Sequence, residues 1–471
     1  MIGLLWVFFE KVGLTLLSVL ATFWYAVILG PDGFGFATTL LSVSLLISTI
    51  QDSIQQTPLL SAEEGEYDLF AVSLKGWLFL SVFNSLLLFI FLVSVYGFEF
   101  WGVILFSVIH IPVSSVSRIF IADLLKRQEY KKLALRAFLG KVLGVCVGLL
   151  LAFLGNAEMA IILQSLIAIV VALVVMISQS EMITELRPFL LNPMNYKVFK
   201  ASFVEGVPSG VNALGQSFRT HGVIILLGFF IGNVAVGLYS LASKLVDVPR
   251  MLIGFGMSSW VVGKLHSAKE NIDELLMLYS VSSTWAMMLL APCYFGIISI
   301  SESLIFNFFG DEWLEAANIL SLLAIYNCIM SIFLLLPPLQ VVLKRTHRTV
   351  YVNLMSTVVV FTFIVFLFPF FGVYSPIVGM FLVLFVMLPK YAIELSDILK
   401  TPFRNIFKCY IGFLVCAFLM CATVMIFASC FNGDDFFLLI FVGVLSYTFY
   451  IFLLFVLYRR SYNDIVCIKE I

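Results

Sequence analysis

Charged residues are scarce in this 471-residue sequence, at 12% of the total, whereas hydrophobic residues make up 62%. A soluble domain has about 25% charged and about 45–50% apolar residues. A chain this apolar has too little polar surface to face water on all sides. The composition therefore excludes a soluble enzyme, a disordered chain and a nucleic-acid-binding protein, and it predicts a multi-pass membrane protein.

Catalytic and metal-binding motifs are also missing. The eight cysteines form no Cys-x-x-Cys pair, the four histidines lie far apart, and no His-Glu-x-x-His, Gly-x-Ser-x-Gly or P-loop pattern occurs. We therefore expect no cofactor, no metal site and no enzymatic activity. A membrane polysaccharide polymerase is an alternative, but it would need a larger solvent-facing loop than the sequence provides.

Long apolar runs follow one another along the whole chain. A helix needs about 20 apolar residues to cross a bilayer, and continuous runs of this length exclude a transmembrane β-barrel. We predict an all-α polytopic membrane protein with about 14 transmembrane helices. The runs lie at about 5–29, 36–56, 71–95, 101–121, 134–154, 158–178, 202–230, 236–262, 275–298, 317–340, 350–370, 376–396, 407–429 and 437–457.

Lysine and arginine are absent from every odd-numbered connection between these runs. Of the 27 such residues, 23 lie in or beside even-numbered connections or in the C-terminal tail. Cationic loops stay on the cytoplasmic side, so both termini are predicted to be cytoplasmic, in the inner (plasma) membrane of the cell. The first run lacks a basic leader and a cleavage site and is interpreted as a retained span. The longest outer connection is predicted at 299–316.

Two parts of the chain repeat each other in order. A Gly-x4-Gly turn after the first run, at Gly30, recurs after the seventh run at Gly232, 202 residues later. The Leu-Lys-Arg motif at 125–127 recurs at 343–345. Because the offset covers six runs, both copies have the same orientation, as in the parallel repeats of transporters. The alternative is a chance recurrence of common turn residues.

This repeat predicts two six-helix lobes in parallel pseudo-repeat, followed by two C-terminal helices. The predicted boundaries are 1–180 for the N-terminal lobe (spans 1–6), 197–398 for the C-terminal lobe (spans 7–12), 404–458 for the extra spans 13 and 14, and 459–471 for a cytoplasmic tail.

Polar residues in the seventh run form a candidate site, because ionisable groups inside a membrane are costly. Arg219 lies 13 residues before Gly232, hence ~20 Å below the outer edge of a ~30 Å hydrocarbon core. Ser209, Asn212 and Gln216 share its helical face. The glycines and the proline of the same run predict a bend or an unwound stretch that lines a cavity. Alternatively, Arg219 only pairs with an acidic side chain.

The eighth run carries Lys244, Asp247 and Arg250, one helical turn apart. Two interpretations stay open: a ladder in which the cations neutralise Asp247, or a ligand site whose excess positive charge favours an anion.

Further polar residues lie towards the cytoplasmic ends of the first and second runs. Lys11 and Asp52 are either interfacial or line an inward-facing mouth, and Arg118 is interpreted as an interface anchor. The candidate substrate-binding residues are therefore Arg219, Asn212, Gln216, Lys244, Asp247, Arg250, Lys11 and Asp52.

Several segments, spread over the chain in order, resemble bacterial polysaccharide exporters. These are the Wzx-type lipid-linked oligosaccharide flippases of the multidrug/oligosaccharidyl-lipid/polysaccharide superfamily. At Val223 many members carry an acidic residue, so this chain departs from the family pattern there. The similar segments are 29–36, 125–130, 226–242 with Lys244 and Pro249, and 308–313.

The resemblance implies export of a polyprenyl-diphosphate-linked oligosaccharide from the inner to the outer leaflet by alternating access, for O-antigen, capsule or exopolysaccharide synthesis. It implies membrane lipids as partners, a polymerase and chain-length proteins as further partners, and no nucleic acid. An excess of lysine and arginine side chains in a cavity between the lobes would suit a diphosphate, because these cations bind phosphate oxygens. The alternative is a multidrug or small-metabolite antiporter of the same superfamily, which is expected to have twelve spans and a midplane acid.

Overall fold

The computed structural model describes residues 2–63, 65–180, 182–267, 271–343, 346–400, 402–430 and 441–452, and this part of the chain forms helices and no strand. Each predicted apolar run overlaps a helix. Within the described residues, nine helical stretches are long and apolar enough to cross a membrane, and Val12–Ser61 and Leu354–Leu399 each hold two runs. The all-α, multi-pass membrane class is confirmed, while the count of fourteen spans stays a prediction.

The chain divides into two compact units, Met1–Ser240 and Leu241–Ile471. The helices that begin in the first unit are α1 (Ile2–Ser61), α2 (Tyr67–Tyr96), α3 (Trp101–Lys126), α4 (Tyr130–Phe153), α5 (Ala157–Gln179), α6 (Met182–Leu190), α7 (Tyr196–Ser217), α8 (Val223–Phe230) and α9 (Asn233–Ser267). Those that begin in the second are α10 (Ile272–Phe309), α11 (Leu314–Ser331), α12 (Leu336–Val342), α13 (Thr346–Phe371), α14 (Ser375–Leu399) and α15 (Phe403–Cys430), and a further helix covers 441–452.

The predicted outer connections share one turn geometry. Within the described residues, each contains a glycine with a positive φ, a conformation that glycine adopts without a steric penalty. Both Gly97 and Gly310 are followed by a 3₁₀ turn, Phe98–Phe100 and Asp311–Trp313 respectively. The glycines are Gly30, Gly97 and Gly155 in the first half, and Gly232, Gly310 and Gly372 after it, at offsets of 202, 213 and 217 residues. This order supports the internal repeat, and the lobe boundaries stay a prediction.

The predicted outer connection at 299–316 is not one long loop, while its position on the outer side stays a prediction. Helix α10 continues to Phe309, and a short turn at Gly310 leads through Asp311–Trp313 into α11. The apolar side chain of Ile305 is fully buried in this extension, which explains why the polar residues of the segment do not end the helix. The extra length of the second repeat is therefore partly helical.

The connection between the sixth and seventh runs holds the short amphipathic helix α6. Its Met182 and Leu186 are buried in a cluster with residues of α1 to α5. The Lys75 ammonium of α2 donates hydrogen bonds to the carbonyl oxygens of Phe189 and Asn192, at 3.0 and 2.5 Å. A cation at a helix C-terminus is favourable, so this contact fixes the chain just before α7 begins.

The predicted topology can be tested by cysteine labelling. In a variant whose eight native cysteines are replaced by alanine, a cysteine at the exposed Asn307 should react with a membrane-impermeant thiol reagent added to intact cells. A cysteine at the exposed Lys131 should react only after the cells are permeabilised. The reverse pattern would overturn the orientation derived from the lysines and arginines.

Candidate functional site

The predicted polar stripe lies on α7 and on the segment that follows it. The Asn195 side chain caps α7 by accepting from the backbone N–H groups of Lys197 and Val198. Asn212 is half-buried, and its Oδ1 is a buried atom without a hydrogen-bond partner among the described residues, whereas Gln216 is exposed. The stripe therefore presents polar groups that the helix itself does not satisfy.

Arg219 lies in a π-helical segment, Phe218–Gly222, inserted between α7 and α8. Such segments add a residue to one helical turn, and they are frequent at functional sites. Arg219 is half-buried, and His221 of the same segment has a buried Nδ1 without a partner in the described part of the chain. The irregularity expected in this run thus lies at its only arginine.

The glycines of α7 have another function than the one expected. The helix is continuous from Tyr196 to Ser217, so the run is not unwound at these glycines, and its irregular segment begins only at Phe218. An added Cβ at Gly206 would overlap the backbone carbonyl of Ile54, and one at Gly210 would overlap the Ile54 side chain. Small residues allow helices to approach closely in membranes, and here they let α7 pack directly on α1.

The second candidate cluster lies on α9, in the second unit. Arg250 Nε is 4.0 Å from Asp247 Oδ1, and their side chains are 53% and 35% exposed. The buried Tyr294 of α10 interacts electrostatically with both. A pair at this distance and exposure contributes about 0–1 kcal/mol, so Asp247 is only weakly neutralised by Arg250. Lys244 is exposed on the same helix.

Asp52 is placed differently from the interfacial position considered above. It is 5% exposed, and its Oδ2 accepts from Arg118 Nη2 and Ser114 Oγ of α3, both at 2.6 Å. Arg118 also donates to Gln56 Oε1 at 3.2 Å, and Ser115 Oγ donates to Gln55 Oε1 at 3.3 Å. Arg118 is therefore the ion-pair partner of Asp52 and not a plain interface anchor.

This α1–α3 contact contains many polar atoms that lack hydrogen-bond partners among the described residues. Buried polar atoms in proteins nearly always have a partner. His110 is 7% exposed and Asp52 interacts with it electrostatically. The unpartnered atoms of this contact are His110 Nδ1, Asp52 Oδ1, Gln55 Nε2 and Arg118 Nε, and the buried Gln51 Oε1 of α1 also lacks a partner among the described residues.

The two repeated Gly-x4-Gly turns contact each other reciprocally inside the first unit. A Cβ added at Gly35 would overlap the backbone carbonyl of Asn233, and one at Gly237 would overlap that of Pro31. The offset of 202 residues that relates Gly35 to Gly237 also relates Pro31 to Asn233. The contact is therefore locally two-fold symmetric, like an isologous interface, and it supports the repeat found in the sequence.

Sequence reasoning missed three features of this unit. The ion pair of Asp52 with Arg118, the row of His110, Ser114 and Arg118 four residues apart, and the contact between the two turns were not expected. The four-residue spacing marks one face of α3 and could have indicated the first two. Lys11 is part of α1, but its side chain lies outside the described residues.

The chain matches one protein family over most of its length. The family described as "Polysaccharide biosynthesis protein" matches residues 25–318. The succinoglycan biosynthesis transport protein ExoT of Rhizobium meliloti is 24% identical over 211 residues, 44% of this chain and 41% of that protein. The probable low-salt glycan biosynthesis flippase Agl15 of Haloferax volcanii is 24% identical over 148 residues, 31% of each chain. The alignments span less than half of these relatives.

Solved structures with the same fold are transporters. The lipid II flippase MurJ in an inward closed conformation superposes with a TM-score of 0.71 at 15% identity, over 98% of this chain and 99% of that one. An inward-facing multidrug resistance transporter of the MATE family, in the MOP superfamily, gives 0.59 at 14% identity, over 82% and 96%. At these identities the similarity establishes the fold.

Proposed function

This chain belongs to the polysaccharide biosynthesis protein family, and from that premise we propose that it moves a polyprenyl-diphosphate-linked oligosaccharide across the inner membrane. The cargo passes from the cytoplasmic to the outer leaflet for O-antigen, capsule or exopolysaccharide synthesis, without a covalent step. The observation that carries the proposal is the family match over 25–318, which agrees with the similarity of almost the whole chain to a lipid II flippase.

The seventh run supplies the chemistry that a diphosphate needs. The guanidinium of Arg219 is permanently charged and can hold two phosphate oxygens at once. Asn212 and Gln216 on the same stripe offer amide groups for sugar hydroxyls, and the buried Asn212 Oδ1 has no hydrogen-bond partner among the described residues. The polyprenyl chain stays in the lipid. Lys244 and Arg250 add positive charge, with Asp247 and Lys11 as further candidates for the same site.

Transport by alternating access requires that contacts on one side of the membrane form while those on the other side open. The reciprocal contact of Gly35 with Asn233 and of Gly237 with Pro31 lies at the predicted outer ends of four spans. This contact supports the proposal that the two turns form an outer gate, which is closed in this conformation. The two turns must move apart to release the cargo. The two lobes of the proposed mechanism are 1–180 and 197–398, with 404–458 as an addition.

The proposed setting follows from the same premise. The protein lies in the inner membrane with both termini in the cytoplasm, next to a polysaccharide polymerase and chain-length proteins that consume its product. A second candidate function is favoured by the similarity to multidrug transporters: antiport of a small molecule. A transporter of that kind would confer drug efflux and would leave lipid-linked sugars unaffected.

The function is tested by deleting the gene. We expect cells to accumulate the complete lipid-linked repeat unit in the cytoplasmic leaflet, because synthesis continues while translocation stops. The measurement is mass spectrometry of extracted polyprenyl-diphosphate sugars, combined with their accessibility to a glycosidase added outside. Restoring the gene should move the glycan to the outer leaflet. An accumulated glycan that lacks a sugar or a linkage would indicate an enzyme instead.

A further inference from the structure

We propose that helix α7, the cytoplasmic part of the seventh run, stays fixed to the first lobe during transport, and that the π-helical segment Phe218–Gly222 is the joint at which α8 turns away from α1. This inference rests on the proposed function, since it assigns the movement that opens the outer gate. The predicted lobes place their boundary before α7, between 180 and 197. The joint places the boundary between the moving parts inside the seventh run instead.

Aromatic side chains pack the cytoplasmic end of α7 into the first unit. The ring centroids of Phe199 and Phe203 lie 6.0 and 5.6 Å from that of the buried Trp77 in α2. A Cβ added at the neighbouring Gly76 would overlap the Phe199 ring. Aromatic rings bury a large apolar surface in a defined geometry, so moving α7 away here would leave an unfilled cavity in the first unit.

The chain just before α7 is held as well. The Lys75 ammonium of α2 bonds to the carbonyl oxygen of Asn192 at 2.5 Å, and α7 begins four residues later, at Tyr196. Four residues of extended chain span at most about 14 Å, so the start of α7 cannot travel far from α2. Further along α7, Ser61 Oγ of α1 donates to Glu205 Oε1 at 2.5 Å. The cytoplasmic end of α7 is therefore fastened to both α1 and α2.

The part of the seventh run beyond the π-helical segment meets α1 in a different way. A Cβ added at Gly228 of α8 would lie 3.0 Å from the Thr39 hydroxyl oxygen, and Gly35 lies against the backbone carbonyl of Asn233. Small residues allow helices to approach closely, but they do not interlock as large side chains do. This contact can open without displacing a large side chain, whereas the contact at the cytoplasmic end cannot.

The π-helical segment joins these two parts and is the place where the run can bend. Sharp kinks in helices occur at such segments, because an extra residue interrupts the regular hydrogen-bond ladder. With α7 fixed and the outer turns separating, the change of direction is taken up between Ser217 and Val223. Arg219 lies inside this joint. Opening therefore turns the guanidinium that is proposed to hold the diphosphate, which links release of the cargo to opening of the outer gate.

Two matched disulfides test the joint in a variant without native cysteines. The pair Ile54→Cys/Gly210→Cys links α1 to α7, and the pair Thr39→Cys/Gly228→Cys links α1 to α8; in both pairs the Cβ position of the glycine lies against the partner side chain. After mild oxidation of cells, we expect the first disulfide to leave export within about twofold. The second should stop export until dithiothreitol is added. Loss of export with the first disulfide, or normal export with the second, would overturn the proposal.

Distances measured by electron paramagnetic resonance keep the test independent of export. Pairs of spin labels on exposed residues of the full-length protein in lipid nanodiscs report the cytoplasmic contact, from Lys131 to Lys200, and the outer contact, from Glu99 to Val234. We expect one distance for the first pair, and for the second pair two distances whose proportions change when farnesyl diphosphate is added. Two distances for the cytoplasmic pair, or one for the outer pair with and without farnesyl diphosphate, would contradict the joint. If the distances are as expected but the native protein exports no lipid-linked sugar, the proposed function fails and the joint stands.

Discussion

Replacing Gly35 with alanine is expected to reduce export strongly while leaving the protein in the membrane. The new Cβ would overlap the carbonyl oxygen of Asn233, a backbone atom that cannot rotate away. Overpacking of this kind costs about 1–3 kcal/mol, which lowers the ratio of the closed to the open outer turn by about 5-fold to 150-fold. Gly237→Ala, which meets the carbonyl of Pro31, should have the same effect because the two positions are equivalent in the repeat.

The closed state can be followed through Thr39, which is 2% exposed and contacts Gly228 in α8. In the cysteine-free background, a cysteine at Thr39 should be protected from an impermeant thiol reagent in the native sequence and accessible in the Gly35→Ala variant. Gly33→Ala is the matched control, because its Cβ would meet only Leu29 at an ordinary 3.6 Å. Normal export and continued protection in Gly35→Ala would show that this contact is not a gate.

Replacing Arg219 with alanine should reduce export roughly tenfold to a hundredfold. The reason is that a charge-assisted hydrogen bond to a phosphate contributes ~1.5–3 kcal/mol to binding. Arg219→Lys should retain partial activity, because lysine keeps the charge but loses the bidentate geometry. The measurement is the amount of lipid-linked oligosaccharide that reaches the outer leaflet, normalised to the protein in the membrane.

A control variant and a double variant together distinguish substrate binding by Arg219 from a structural ion pair. Thr220→Ala changes the neighbouring residue, whose hydroxyl bonds to the Ser217 carbonyl of its own helix, and it should leave export within about twofold. If Arg219 only neutralised Asp247, the double variant Arg219→Ala/Asp247→Ala would recover the activity that each single change loses. Such a rescue would reject the role of Arg219 in substrate binding.

The contact between the two repeated turns and the ion pair of Asp52 with Arg118 both join segments that lie far apart in the sequence. Gly30 and Gly232 could be recognised as turn residues because a glycine after an apolar run is a local signal. The sequence could not reveal which partners these small residues contact, since a small residue permits close packing with any partner. The structure places Gly35 against Asn233 and Gly206 against Ile54. The irregular segment of the seventh run lies at 218–222 and not at the glycines of 206–215, and the sequence could not place it because glycine is compatible with both a bend and a close helix contact.

The charged residues show the same limit. Arg118 at the end of an apolar run is equally compatible with a lipid headgroup and with a carboxylate, and only its distance of 2.6 Å from Asp52 decides between them. Arg219 could be identified as a deep cation from its position in the run. Its placement in a π-helical segment could not, because one extra residue per turn leaves no periodic signal in so short a stretch.

Composition and the spacing of apolar runs are enough to identify an all-helical membrane protein with repeated turns, because hydrophobic burial and backbone satisfaction in lipid act on every residue locally. The absence of lysine and arginine from alternate connections between the apolar runs is likewise visible in the sequence alone. The contact of the two repeated turns at their glycines and the ion pair of Asp52 with Arg118 became visible only in the folded chain. Such contacts depend on which helix faces are juxtaposed, and this is set by packing over the whole unit.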